Sequence, residues 1–313
     1  MAFTMHSHSG QFCPGHAVDQ LEDIVLHAIS LGYKTMGLTE HMPRYEERDL
    51  YPEELSDPQT SLQTLPKLHS SYLLEARRLQ NKYAPQIHIL IAFEAEFIRP
   101  SYTSHVHTLF NSSFLIDYFI GSVHHVHGIP IDYDKPTYAA ALAATTTTSK
   151  HSEEQLFEDY YDLQFDMLKA LKPRIVGHFD LIRLMSEDPA RDPRLWTGVW
   201  DRICRNLEYA MEIGAWLECN TAALRKGLDE PYPGRVISEK WLQLGGKFTM
   251  SDDSHGIAQV ATNYSRGLAF LESLGVEHVW TFQRQNHPEA GEDARATLDD
   301  VAVSLKEFRQ HFS

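Results

Sequence analysis

Basic residues are scarce in this chain: 28 Lys and Arg stand against 43 Asp and Glu, a formal net charge of −15 over 313 residues. No run of them could neutralise a row of phosphates, which argues against nucleic acid or an anionic membrane as partner. Cysteine is scarcer still. Cys13, Cys204 and Cys219 are too few and too scattered for a disulfide framework, so a reducing compartment is expected, with the cytosol as default. No stretch reaches the apolar length of a membrane-spanning helix, and the opening MAFTMHSHSG has neither the basic start nor the apolar run of a signal peptide. A small or metal-masked substrate suits such a chain better than a polyanion.

What the sequence does contain is enough apolar residue for a sizeable core, 42%, and an unusual number of histidines, 18. Short apolar runs alternate with amphipathic stretches, the pattern of a parallel sheet or barrel with crossover helices. The predicted strands are Phe3–Met5, Thr35–Leu38, Ile87–Phe93, Tyr118–Val123, Ile175–Val176, Ala215–Cys219 and Phe248–Ser251. Leu21, Ile24, Val25 and Ala28 keep helical spacing up to Gly32, where a left-handed C-cap is expected. Leu65, Leu68, Tyr72 and Leu79 predict a second helix, and Val199, Ile203, Leu207 and Ala210 a third. The Ala/Thr-rich piece at 139–152 reads as a helix end running into a loop inserted in the pattern. The polar tail from Pro288, with Val301, Leu305 and Phe308 at helical spacing, predicts a C-terminal helical extension. No linker divides the chain, so one domain over residues 1–313 is expected.

Metal-competent residues stand at the C-terminal end of one predicted strand after another: His6 with His8, His41, Glu94 with Glu96, His124, His178, and Asp253 with His255. In an α/β barrel those ends form one mouth, so side chains distant in sequence converge there. H-x-H and D-x-H place two side chains on the same side of an extended segment, which favours Asp253 over Asp252. Pleating sends His124 and His125 to opposite sides, so both cannot serve one site. Glu94 and Glu96 share a face, and a carboxylate buried there without a cation would cost several kcal/mol, which suggests that one of them bridges metals. His16 emerges from a loop, and Cys13 nearby is a weaker candidate because hard phosphoester sites rely on imidazole and carboxylate. Each motif alone also fits a solvated surface histidine or carboxylate.

Taken in order, H-x-H, H-A, E-H, E-A-[DE]-F, G-S-V-H, G-H-x-D-L, N-T-A-x-L-R and D-x-H resemble the polymerase-and-histidinol-phosphatase (PHP) family from about Met5 to about His255. The stretches S-H-S-G-x-F-C and G-S-V-H-H-V-H-G-I-P-I-D resemble the branch of that family acting in histidine biosynthesis. The resemblance implies a distorted (β/α)7 barrel with three divalent metal ions (Zn, Mn or Fe) and a small phosphomonoester, L-histidinol phosphate, as substrate. Carried over residue by residue, His6, His8, Glu94 and Asp253 would hold the first metal. Glu94 would bridge to a second with His124 and His178, and His16, His41 and His255 would hold a third. Asp253 or His255 would donate the proton to the departing alcohol. Arg183 in G-H-F-D-L-I-R and Arg225 in C-N-T-A-A-L-R are candidates for a phosphate fork, with helix-surface ion pairing as the bland alternative. Asn220 could hydrogen-bond the substrate or merely form a turn. The rival readings are a PHP phosphoesterase for another monoester or a nucleotide, an amidohydrolase-type deaminase, which usually places a Lys where this chain has Glu94, and a non-catalytic regulatory PHP domain.

Overall fold

The structure, a computed structural model, describes residues 1–145, 152–285 and 295–312. Strands and helices alternate through β1 (Ala2–Thr4), α1 (Leu21–Ser30), β2 (Tyr33–Leu38), α2 (Pro58–Tyr83), β3 (His88–Glu96), α3 (Tyr102–Asn111) and β4 (Tyr118–Ser122). A small hairpin, β5 (His125–Val126) with β6 (Ile129–Pro130), precedes α4 (Lys135–Ala143) and α5 (Glu153–Leu171). The alternation resumes with β7 (Ile175–Val176), α6 (Thr197–Glu212), β8 (Trp216–Asn220), α7 (Ala222–Arg225), α8 (Arg235–Gln243), β9 (Phe248–Ser251) and α9 (Tyr264–Ser273).

Seven parallel strands pair in the order β1-β2-β3-β4-β7-β8-β9. The two ends of that sheet meet: the Met5 N–H donates to the Met250 carbonyl at 3.1 Å and Ser7 bridges Ser254 in parallel, so the sheet is a nearly closed barrel. All seven predicted strands are present with their ends shifted slightly. The largest shift is in β3, which runs on through Glu94 to Glu96. Its I-L-I-A-F run is buried on both faces, as parallel strands under crossover helices require. The helix stripes behave likewise: Leu21, Ile24, Val25 and Ala28 are all buried, and Gly32, at φ +82°, follows the end of α1. Inside the barrel Gly37 is obligatory, since a Cβ there would run into the Tyr118 hydroxyl, which donates to the Met5 carbonyl at 2.7 Å.

The C-terminal part departs from expectation. In place of a helical extension, β10 (His278–Gln285) and β11 (Thr297–Ser304) form an antiparallel hairpin, followed by the short helix α10 (Leu305–Arg309). Helical spacing of Val301, Leu305 and Phe308 misled because it spans a strand-to-helix junction. The hairpin covers the N-terminal ends of the barrel strands. Phe282 stacks on Trp216 at 4.3 Å, Arg284 pairs with Asp117 at 2.9 Å, and Asp300 receives Arg174 and Lys247 at 2.7 and 3.1 Å. Phe308 is fully buried against Phe3. The bottom of the barrel is therefore sealed, and the opposite end is free for chemistry. In the Ala/Thr-rich segment α4 accounts for the first residues, while 146–151 lie outside the described residues.

Candidate metal centre

At the C-terminal ends of the strands the metal-competent side chains converge into three groups: His6, His8 and Asp253; Glu94, His124 and His178; and His8, His41 and His255. Within each, the ligand atoms all lie within 4.8 Å of one another. Glu94, at the end of the long central strand, links them. Its Oε2 stands 3.3 Å from His6 Nε2, 3.6 Å from His8 Nε2 and 3.0 Å from His41 Nδ1. Its Oε1 is 3.0 Å from His178 Nε2 and 3.4 Å from His124 Nε2. One carboxylate thus touches five imidazoles. Asp253 Oδ1 faces His8, His6 and His255 at 3.3, 3.6 and 3.7 Å. Asp252 turns away and accepts hydrogen bonds from Thr4, Tyr33, Ser254 and Ala261.

The electrostatics alternate around this cluster. Burial opposes charge on His6, but Glu218, Asp253 and Glu94 outweigh it and hold its pKa well above 6.5. His41 is raised in the same way, burial being overcome by Glu94 and then Glu96, and His178 is raised by Glu94. His8 is pushed down to about 3 by burial and then by the neighbouring His41, and His255 is driven well below its usual value by burial and His8. Glu94 and Asp253 lie well below the carboxylate range because nearby imidazoles outweigh burial.

Divalent cations fit such a site. His8 is fully buried with neither ring nitrogen hydrogen-bonded, His6 Nε2 and His41 Nε2 are buried without partners, and His124 Nε2 and His178 Nε2 face each other at 3.1 Å. Converging lone pairs without donors, beside carboxylates in need of positive charge, make up the donor set of a hard or borderline cation.

Not every expected residue joins the groups. His16 is exposed, with Nδ1 3.2 Å from Glu53 and its ring 4.9 and 5.2 Å from His255 and His41, so it stands at the edge of the third group while His8 completes it. Asn220 is fully enclosed, its amide donating to Glu218 and Asp253 at 3.1 and 3.5 Å and its oxygen accepting from Ala222 N–H. It orients carboxylates and has no face left for a substrate. Arg183 and Arg225 each bind groups of the protein. Arg225 donates to the carbonyls of Asp252 and Asp253, each at 2.8 Å, clamping Asp253, whose φ of +48° is left-handed. Arg183 binds Asp180 and the carbonyls of Glu230 and Pro231. His125 is buried against Tyr51, away from the three groups, and His127 pairs with Asp159.

Glu218 escaped the sequence reading, which gave β8 no ligand. Fully buried, it accepts from His6 Nδ1 at 2.8 Å, from the His178 backbone N–H at 3.0 Å and from Asn220, tying two groups together. A charged residue within the apolar run W-L-E-C-N was the available signal. Glu96 binds Arg44 at 3.1 Å and stands 3.2 Å from His41 Nδ1, the nitrogen that also faces Glu94. A carboxylate on the far nitrogen of a ligating histidine fixes its tautomer and orientation. Glu218→Ala is therefore expected to weaken metal retention by about 10–100-fold. Competition against a chromophoric chelator measures this, and unchanged retention would remove Glu218 from that role.

A parallel barrel whose open end gathers three groups of metal-competent imidazoles and carboxylates defines a metal-binding α/β-barrel protein. The chain belongs to the PHP domain family, which matches residues 4–222. It is 39% identical to the probable histidinol-phosphatase of Schizosaccharomyces pombe, over 96% of each chain. It is 30% identical to the histidinol-phosphatase of Saccharomyces cerevisiae, over 91% of this chain and 92% of that one. Among solved structures, a Listeria monocytogenes protein described as a histidinol phosphatase is similar at TM-score 0.72 and 25% identity, covering 84% of this chain and 99% of that one. The Lactococcus lactis histidinol phosphate phosphatase, solved with zinc, L-histidinol and phosphate, shares the fold at TM-score 0.65 and 19% identity, covering 90% and 97%.

Proposed function

We propose that this chain is a metal-dependent histidinol-phosphatase, hydrolysing L-histidinol phosphate to L-histidinol and phosphate. The observation that carries this is the coincidence of near end-to-end similarity to histidinol-phosphatases with three metal-competent groups joined through Glu94. In this reading His6, His8, Glu94 and Asp253 hold one cation; Glu94, His124 and His178 a second; His41 and His255, with His8 or the neighbouring His16, a third. The bound cations, zinc, manganese or iron, supply Lewis-acid charge for the phosphoryl oxygens and lower the pKa of water.

The chain's own residues do the remaining work. Glu94 spaces the groups by presenting one oxygen to each side. Arg225 holds the Asp253 backbone so that the carboxylate faces His8, and His255 Nδ1 lies 3.0 Å from the Asp253 carbonyl, which orients its ring. Arg225 makes two hydrogen bonds among the described residues, and its remaining N–H groups are candidates for a phosphate oxygen. No helix among the described residues is long and apolar enough to cross a membrane. We read the whole chain as one unit, because the C-terminal hairpin seals the barrel that carries the site.

Phosphate release from a panel of esters, with and without added Mn²⁺ or Zn²⁺, tests the assignment. L-Histidinol phosphate is expected to exceed glycerol phosphate in kcat/KM by about 100-fold, a difference of ~2.7 kcal/mol in transition-state binding. Equal values for histidinol phosphate, glycerol phosphate and a nucleotide would overturn it.

A further inference from the structure

A metal cluster by itself reads only phosphate, so selectivity must lie in a pocket that shares a wall with the metal groups. One cavity does. About 220 Å³ in volume, it is lined by His41 and His16 on one side and by Arg44, Tyr51, Glu53 and one face of α2 on the other. A larger cavity of about 490 Å³ beside Asp180 and Arg183 has no metal-group residue in its wall. We propose that the smaller cavity receives the alcohol end of the substrate, a short chain bearing an ammonium and an imidazole, with Glu53 and the Thr64 face of α2 as its specificity determinants. This rests on the histidinol-phosphatase reading and names the part of the site that enforces it.

Size, charge and chemistry each narrow the occupant. At ~30 Å³ per water the cavity holds roughly seven water volumes. It falls below the ~300–1,000 Å³ of pockets for drug-sized ligands, which favours a small occupant. A cationic alcohol tethered beside bound cations needs acid to offset their repulsion. Arg44 is already answered by Glu54 and Glu96, whereas the ion pair that Glu53 makes among the described residues is with His16 alone. Glu53 thus leaves the lining acidic. Tyr51 adds an aromatic wall, packed near Arg44 at 5.4 Å and His16 at 5.8 Å. Thr60, Ser61, Thr64, Leu65 and Leu68 recur at helical spacing, so α2 presents hydroxyls and apolar surface together, which suits an imidazole ring.

The test uses the metal-loaded full chain with L-histidinol phosphate and glycerol phosphate as esters, and calorimetric binding of L-histidinol as a readout independent of turnover. Thr64→Phe fills the cavity and leaves the acid in place; Glu53→Gln removes the charge and leaves the shape. Both are expected to raise KM for L-histidinol phosphate about tenfold or more and to weaken L-histidinol binding in step, with kcat/KM for glycerol phosphate within about twofold of the parent. If the parent enzyme shows no preference for histidinol phosphate, the function reading fails and this inference with it. If the preference exists but survives in both variants, the pocket assignment alone is wrong. Parallel loss of both esters together with bound metal in Glu53→Gln would overturn the role of Glu53, showing that it acts through His16.

Discussion

Glu94→Gln is expected to lower kcat on L-histidinol phosphate by about 10³-fold or more, ~4 kcal/mol of transition-state stabilisation, with the secondary structure intact. Glu94 is almost fully buried and faces five imidazoles, so its charge holds the three groups in register. An amide keeps the shape but answers no cation, and in the metal-free protein it would leave the raised charges of His6, His41 and His178 without their shared partner. Metal content, circular dichroism and steady-state kinetics on one preparation separate loss of chemistry from loss of fold. Near-normal turnover would move the bridging role to Glu96, which lies two residues on along β3 and already contacts His41.

Exhaustive chelation is expected to abolish turnover and lower the melting temperature. Reconstitution should restore both at about three divalent ions per chain, since three groups of donors are present, two of them sharing His8. Protons and cations compete for the same nitrogens, so retention should weaken as pH falls through the ordinary histidine range near 6.5. Without metal the histidines pull in opposite directions. The raised His6, His41 and His178 contribute stability that is fully present below about 6.5 and is lost as pH rises through their higher folded values. His8, at about 3, and His255 favour the neutral form, so their contribution is lost as pH falls from about 6.5 toward those depressed values. Metal loading should therefore raise stability most on the alkaline side, where the stabilising protons are gone. Melting curves of stripped and loaded protein across pH check this, and a constant difference, or a single metal after reconstitution, would refute the three-group arrangement.

Much of the architecture is legible in the sequence because its cause is local. A buried parallel strand under crossover helices must be a short apolar run, so I-L-I-A-F and its six counterparts announce themselves, and α1 is visible in one stripe and a glycine. The positions of His6, His8, His41, Glu94, His124, His178, Asp253 and His255 follow from the same logic: each comes at or just beyond the end of a strand, and barrel geometry collects strand ends. Spacing along the chain was a poorer guide for Val301 and Phe308, where helical periodicity ran across the junction of a hairpin strand and a short helix, and it gave no sign that Arg225 clamps the Asp253 backbone.

The barrel, the open end and most of the converging metal-competent side chains were thus determined by the sequence alone, because apolar strand runs and strand-end position are properties of neighbouring residues. Only tertiary structure decided that Glu218 reaches His6 across 212 residues, that His8 lies within the third group and His16 at its edge, and that Glu94 stands between all three. Those outcomes depend on distances of 3 to 4 Å between strands far apart in the chain. No local pattern encodes such distances; the closure of the barrel sets them.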